Sequence, residues 1–259
     1  MYLALIEEKD KSKRELSYLG TMKRLSSGIS DLDGKIEGGF FEGSVNLVTG
    51  KTGTGKTAFS ASFIHEGIEN GEPGVYITTE EEEEDIVKDV KEMFGWDLTE
   101  YMEDGGNLKI DSVKPVFPTR EVENINSLIR GYVSDFMEKL EEDIEEVDAE
   151  RVVIDSVSLI EMFVKDEYMA RVVISSVIRK LKEMEVTALL VGTIPETSEG
   201  LTEGGIVEYL VDSVVKLEFT PISDRYNRTL EIRKMRRTDH EIEIFPIEIS
   251  DTGLRLKEK

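Results

Sequence analysis

Gly50-Lys51-Thr52-Gly53-Thr54-Gly55-Lys56-Thr57 is the stretch that decides the fold. It fits G-x-x-x-x-G-K-[ST], a loop that holds phosphate groups. Glycines at 50, 53 and 55 let the backbone turn tightly and aim several N–H groups at one anion. Val45-Asn46-Leu47-Val48-Thr49 ahead of the loop reads as a buried strand. Residues 58–67 behind it read as a helix whose positive end faces the same anion. Strand, Gly-rich loop, helix is the context the motif requires. The expected phosphate contacts are Thr52, Gly53, Thr54, Gly55, Lys56, Thr57 and Ala58. Lys56 brings a full charge towards the β- and γ-phosphates, and the Thr57 hydroxyl is placed to ligate Mg²⁺.

The chain has 259 residues, enough for one large α/β domain, and 39% are hydrophobic, enough for a substantial core. No apolar run approaches the roughly 20 residues of a membrane span, and Met1–Ile6 runs straight into Glu7-Glu8-Lys9-Asp10, unlike a signal peptide. A cytoplasmic protein is expected. The absence of cysteine excludes disulfides, thiol catalysis and Cys-ligated zinc, and His65 and His240 alone do not make a multi-histidine metal site. A net charge of −23 repels phosphate backbones, so nucleic acid is not the expected partner.

Residues 1–20 read as a charged extension, with the folded domain over 21–259. From there strands and helices alternate. Strands are expected over 74–79, 108–113, 151–155 and 187–191, with a loop marked by Pro115 and Pro118. Residues 124–147 carry a helical period, with Ile125, Leu128, Ile129, Tyr132, Val133, Phe136, Met137, Leu140, Ile144 and Val147 on one face. A further helix is expected near 167–184. The last sixty residues read as consecutive strands over 211–219, 228–235 and 242–249. The expected fold is therefore α/β: a mainly parallel twisted sheet flanked by helices, with antiparallel C-terminal edge strands.

Three further elements carry candidate chemistry. Asp155 ends an apolar strand, where an aspartate either holds Mg²⁺ or caps a turn with Ser156; beside a phosphate loop the metal role is the expectation. Glu80 and Glu81 come first after the strand at 74–79, taken to lie beside the loop strand, and are candidates to orient and deprotonate an attacking water. The rest of that acidic run, Glu82 to Asp85, suits a solvated helix N-terminus. Lys234-Met235-Arg236-Arg237-Thr238-Asp239-His240 is either a salt-bridged hairpin or a cationic finger reaching a phosphate.

These landmarks together resemble the RecA-type ATPases, and among them the single-domain archaeal KaiC-like branch. The resemblance runs from Met22 to Leu256. It rests on Leu25-Ser26-Ser27-Gly28-Ile29-Ser30-Asp31-Leu32-Asp33, Gly38-Gly39-Phe40, the loop at 50–57, Thr79-Glu80-Glu81, Phe94-Gly95-Trp96-Asp97, Val153-Ile154-Asp155-Ser156 and the segment 234–240. It implies a homo-oligomer, a hexameric ring with Mg²⁺·ATP held between subunits. Glu80 and Glu81 then match a catalytic glutamate pair, while Lys234, Arg236, Thr238 and His240 match residues that touch the adjacent subunit's nucleotide. Three positions depart from the pattern. Glu208-Tyr209 replace the adjacent Ser and Thr of the self-phosphorylating repeat, which argues against autokinase activity, and Arg237 stands where glycine is common.

The expected function is a slow, ring-forming ATP hydrolase that serves as a switch or assembly platform, with an unidentified protein partner. Two alternatives share the fold. A DNA-stimulated recombination ATPase fits poorly with the negative charge and with the lack of an added DNA-binding domain. A scaffold locked by ATP would make hydrolysis incidental.

Overall fold

The computed structural model describes residues 23–257 apart from 104, 116–124, 159–163, 165, 198–199, 203–204 and 223–224. The expected extension over 1–20 and the loop marker Pro118 lie outside the described residues. In chain order the elements are β1 (Arg24–Leu25), β2 (Phe40–Phe41), β3 (Val45–Gly50), α1 (Lys56–Glu69), β4 (Gly74–Thr78), α2 (Glu83–Phe94), β5 (Leu108–Ser112) and α3 (Ile125–Val147). They continue with β6 (Arg151–Asp155), α4 (Glu167–Glu183), β7 (Thr187–Thr193), α5 (Val207–Leu210), β8 (Ser213–Ile222), β9 (Arg225–Met235), β10 (Ile244–Ser250) and β11 (Gly253–Leu256).

Nine strands form one sheet in the order β11-β10-β9-β8-β3-β7-β6-β4-β5. Pairing is parallel from β8 through β5 and antiparallel from β8 to β11. The parallel strands are apolar on both faces because helices cover both. Side chains alternate between the layers. Val48, Tyr76, Val153, Leu189 and Val191 join the core with α1, α2, β10 and β11. Leu47, Ile77, Val152, Ile154 and Leu190 join the opposite core with α3, α4 and α5.

Local sequence explains the helices. α1 is buried on most sides, so it lacks a polar stripe; Ser60 and Ser62 turn their hydroxyls onto the Lys56 and Ala58 carbonyls. Gly95, at φ 73°, ends α2. Asp166 caps α4 by accepting the Met169 N–H, and Lys180 and Lys182 occupy its last turn. No described helix is long and apolar enough to cross a membrane.

Three sequence expectations change. Leu128, assigned to the apolar face of α3, is 38% exposed, because the burying contacts of that helix come from Phe136, Leu140 and Ile144. β8 enters the antiparallel edge through β9 on one side only, and on its other side is a parallel neighbour of β3. The fourth C-terminal strand, β11, is set by a tight turn through Asp251-Thr252, with Ser250 opposite Gly253 at φ 108°.

Candidate nucleotide site

The C-terminal ends of β3, β4, β6 and β7 converge on a cleft of about 270 Å³, lined by Lys56, Thr57, Glu80, Glu81, Asp155 and Thr193 among others. The loop takes its shape from its glycines. A Cβ at Gly50 would lie 2.5 Å from the Leu217 carbonyl oxygen and 2.6 Å from Thr54 Oγ1. Gly55 sits at φ 107° as the residue before α1, a conformation that penalises a side chain. Thr54 is buried and braces the turn by donating Oγ1 to the Lys51 carbonyl at 2.7 Å. The expected contacts Thr52, Gly53, Lys56 and Thr57 line the cleft. Thr54, Gly55 and Ala58 are not among the lining residues.

Lys56 Nζ donates to the Gly50 and Lys51 carbonyls at 2.9 and 3.1 Å. Burial lowers its pKa, opposed by the charges of Asp155, Glu80 and Glu196. Asp155 accepts the Tyr76 hydroxyl at 2.7 Å. Burial pushes its carboxyl up to about 6, with the charges of Glu80 and Glu81 adding to the rise and the Tyr76 hydrogen bond and Lys56 opposing it.

This carboxylate gives a testable sign. Folding raises the Asp155 pKa, so the folded chain holds that proton more tightly than the unfolded chain. Stability is therefore lost as pH climbs from about 4 to about 6, and above 6 the full penalty, about 2–3 kcal/mol, is present. Asp155→Asn keeps an acceptor for Tyr76 and removes the charge. We expect it to raise nucleotide-free stability by about 2 kcal/mol at pH 8 and by little at pH 4, read from guanidinium unfolding at both values.

The donor set suits a hard cation. The Thr57 hydroxyl and the Asp155 carboxylate are oxygen donors on the same cleft. Among the described residues no group of three or more His, Cys, Asp or Glu is placed to hold a metal. Mg²⁺ does not need one, because it takes one or two protein oxygens and fills its shell with water and phosphate.

The glutamates reach the cleft by a different route from the one expected. β4 is not beside β3: β7 and β6 stand between them. The turn after β4 still brings Glu80 and Glu81 over the ends of those strands and into the cleft. Glu80 Oε1 accepts the Ser156 hydroxyl at 2.6 Å. Ser156 is itself fixed to Thr79, whose Oγ1 donates to its carbonyl at 2.9 Å. Glu81 has a raised pKa, first through burial and then through Asp89, Glu80 and Asp85. The sequence reading missed Thr78, Ser158 and Thr193 in the lining and Tyr76 behind Asp155. Tyr76 lies two residues before Thr78 on β4 and therefore on the same face, so strand periodicity held that signal.

The cationic segment lies elsewhere. Lys234 pairs with Val214 and Met235 with Ser213, while Ser213 is level with Asn46 and Leu217 with Gly50. Lys234, level with Leu47, and Arg236, level with Asp212, therefore lie towards the opposite end of the strands from the phosphate loop, roughly 10 and 16 Å from Gly50 along the strand direction. There Lys234 Nζ donates to the Glu208 and Val211 carbonyls at 3.1 and 2.7 Å. Arg236 faces Asp212 at 3.6 Å. Burial works against the charge of Asp212, but Lys182, the Val45 N–H and Arg236 outweigh it and hold the carboxyl below its ordinary range. Thr238 Oγ1 accepts from Arg24 at 3.1 Å, and His240 Nδ1 lies 3.3 Å from the Glu241 carbonyl oxygen. Arg237 has φ 60°, a left-handed conformation that glycine adopts more readily, and its guanidinium stacks over Phe41 at 4.8 Å.

Against known proteins, the KaiC ATPase family profile matches residues 25–259. The chain belongs to the KaiC family of ATPases. It is 32% identical over 242 residues to a UPF0273 protein of Thermotoga maritima, covering 90% of this chain and 95% of that one. It is 31% identical over 240 residues to the circadian clock oscillator protein KaiC of Synechococcus elongatus, covering 92% of this chain but 44% of KaiC. The crystal structure of a KaiC-like protein from Pyrococcus horikoshii superposes with a TM-score of 0.77 at 34% identity, over 92% of this chain and all of that one. Membership supports an ATP-binding role on a RecA-type fold.

Proposed function

We propose that this protein is a Mg²⁺-dependent ATP hydrolase working as a ring, with each nucleotide completed by the neighbouring protomer. The observation that carries this reading is the separation of the two halves of the site. Lys56, Thr57, Glu80, Glu81 and Asp155 share one cleft, while Lys234 and Arg236 lie towards the other end of the strands, on the β9 side of the sheet. Within one chain the cations face Glu208, Val211 and Asp212 and not the phosphate loop. Across a head-to-tail contact, one protomer's far edge can meet the next protomer's cleft, and such contacts close into rings.

In this reading the loop N–H groups and Lys56 grip the triphosphate. Thr57 and Asp155 would hold Mg²⁺, which when bound neutralises charge on the β- and γ-oxygens. Glu80 or Glu81 orients a water and takes its proton as the water oxygen bonds to the γ-phosphorus and the bond to the ADP oxygen breaks. Arg236 and Lys234 from the neighbour, with Thr238 and His240 beside them, stabilise the charge that develops. Hydrolysis is thus coupled to assembly, which suits a regulatory switch or assembly platform for a protein partner. The reading is tested by mass in solution. Light scattering with Mg²⁺·ATP should report a closed oligomer, expected to be a hexamer, that dissociates when nucleotide is removed. A monomer at every nucleotide concentration would refute it.

A further inference from the structure

The turn that carries the two glutamates is held from both sides. On the β6 side, Thr79 and Ser156 exchange hydrogen bonds of 2.9 and 3.0 Å. Within the turn, Thr78 Oγ1 accepts the N–H groups of Glu80 and Glu81 at 3.3 and 3.0 Å. On the other side stands the edge strand β5, where Ser112, opposite Thr78, donates its hydroxyl to the Glu81 carbonyl at 2.9 Å. Two residues on, Lys114 pairs with Glu82. The end of β5 is in turn gripped by α3. Tyr132 donates to the Val113 carbonyl at 3.1 Å, and Lys139 bridges Asp111 at 2.8 Å and the fully buried Asp143 at 3.0 Å.

We propose that Ser112 is a positioning residue for the glutamate pair: its hydroxyl, bonded to the Glu81 carbonyl, fixes the turn from which both carboxylates enter the cleft. This rests on the reading of Glu80 and Glu81 as the pair that orients water. The turn has no regular structure of its own between Thr78 and Glu83, and the residue before α2, Glu82, makes no side-chain cap. Beyond the Thr79 N–H, which reaches the Asp155 carbonyl at 2.8 Å, its outward anchors are side chains. Thr79 fixes its base, and Ser112 fixes it one residue beyond Glu80. Releasing the Ser112 bond leaves β5 in its ladder, because the Val113 N–H still reaches the Thr78 carbonyl at 2.9 Å. It leaves the Glu81 carbonyl with only the longer bond from Thr78 Oγ1 at 3.4 Å, which loosens the peptide that aims the carboxylates, and small displacements of a reacting group are expensive in rate.

The test compares Ser112→Ala with Ser112→Thr, which restores a hydroxyl on a residue suited to a strand end. Ser112→Ala should lower kcat about fivefold to tenfold while KM for ATP stays within twofold. Ser112→Thr should return kcat to within twofold of wild type. Wild-type kcat in Ser112→Ala overturns the proposal, and so does equal loss in Ser112→Thr. A parallel fall of nucleotide affinity in Ser112→Ala also overturns it, since that marks general damage to the site. Glu80→Gln and Glu81→Gln are measured alongside. Inactive glutamate variants beside a fully active Ser112→Ala overturn the positioning role alone. Fully active glutamate variants remove the reading beneath it as well.

Discussion

Glu80→Gln combined with Glu81→Gln is expected to lower ATP turnover at least a hundredfold and to leave ATP binding nearly unchanged. Both carboxylates line the cleft, but in the proposed reading the anion is gripped by other groups, the loop N–H groups and Lys56. Removing a positioned base typically costs 10²–10⁴ in rate. Glutamine keeps the size and the hydrogen-bond acceptor that Ser156 reaches on Glu80, so the turn keeps its shape. The change also removes two negative charges next to Asp155, whose own pKa they help to raise. Nucleotide affinity should therefore hold or rise slightly. Single-turnover hydrolysis separates chemistry from release, and calorimetric titration with a non-hydrolysable analogue reads binding. Wild-type turnover in the double variant would remove both glutamates from the chemistry.

The fold was legible where the pattern was local. The spacing of the loop at 50–57 needed only its flanking strand and helix, and both formed within two or three residues of expectation. The apolar strands over 74–79, 151–155 and 187–191 gave both-face burial, which only parallel strands between helices satisfy. Strand order was not legible. Nothing in residues 74–81 says that β7 and β6 separate β4 from β3, because lateral order depends on crossover geometry rather than on any one segment. Glu80 and Glu81 were found from their place after a strand, although the neighbour assigned to that strand was wrong. Ser156, Tyr76 and Ser112 were not found, because a hydroxyl's partner is fixed by the register between strands, and single-sequence reading does not supply it. Segment 234–240 was ambiguous for a physical reason. Its residues make ordinary contacts within the chain, to Asp212, Glu208 and Arg24, and the proposed role on a neighbour's nucleotide is invisible in one copy.

Arg236→Ala should lower ring hydrolysis by about 10³-fold, and the loss should be reversible by mixing with a protomer that cannot bind nucleotide. The substitution leaves the fold in place, since Asp212 keeps the Lys182 ammonium at 2.8 Å and the Val45 N–H at 3.1 Å. Lys56→Ala removes the loop charge from a protomer but leaves its far edge intact. Neither variant alone contains both halves of a site. In a mixed ring, a Lys56→Ala protomer offers Arg236 to the nucleotide of an Arg236→Ala neighbour. A one-to-one mixture is therefore expected to recover roughly a quarter of wild-type turnover per site, since that is the statistical share of productive neighbour pairs. If the cations acted within their own chain, no mixture could recover anything, because every protomer would carry one defect. The register of β9 against β8 and β3 supports the shared site: Lys234 is level with Leu47, three residues before Gly50, where the loop leaves the strand. A mixture that stays as inactive as its components, with mixed rings shown by mass spectrometry to have formed, would sink the shared site.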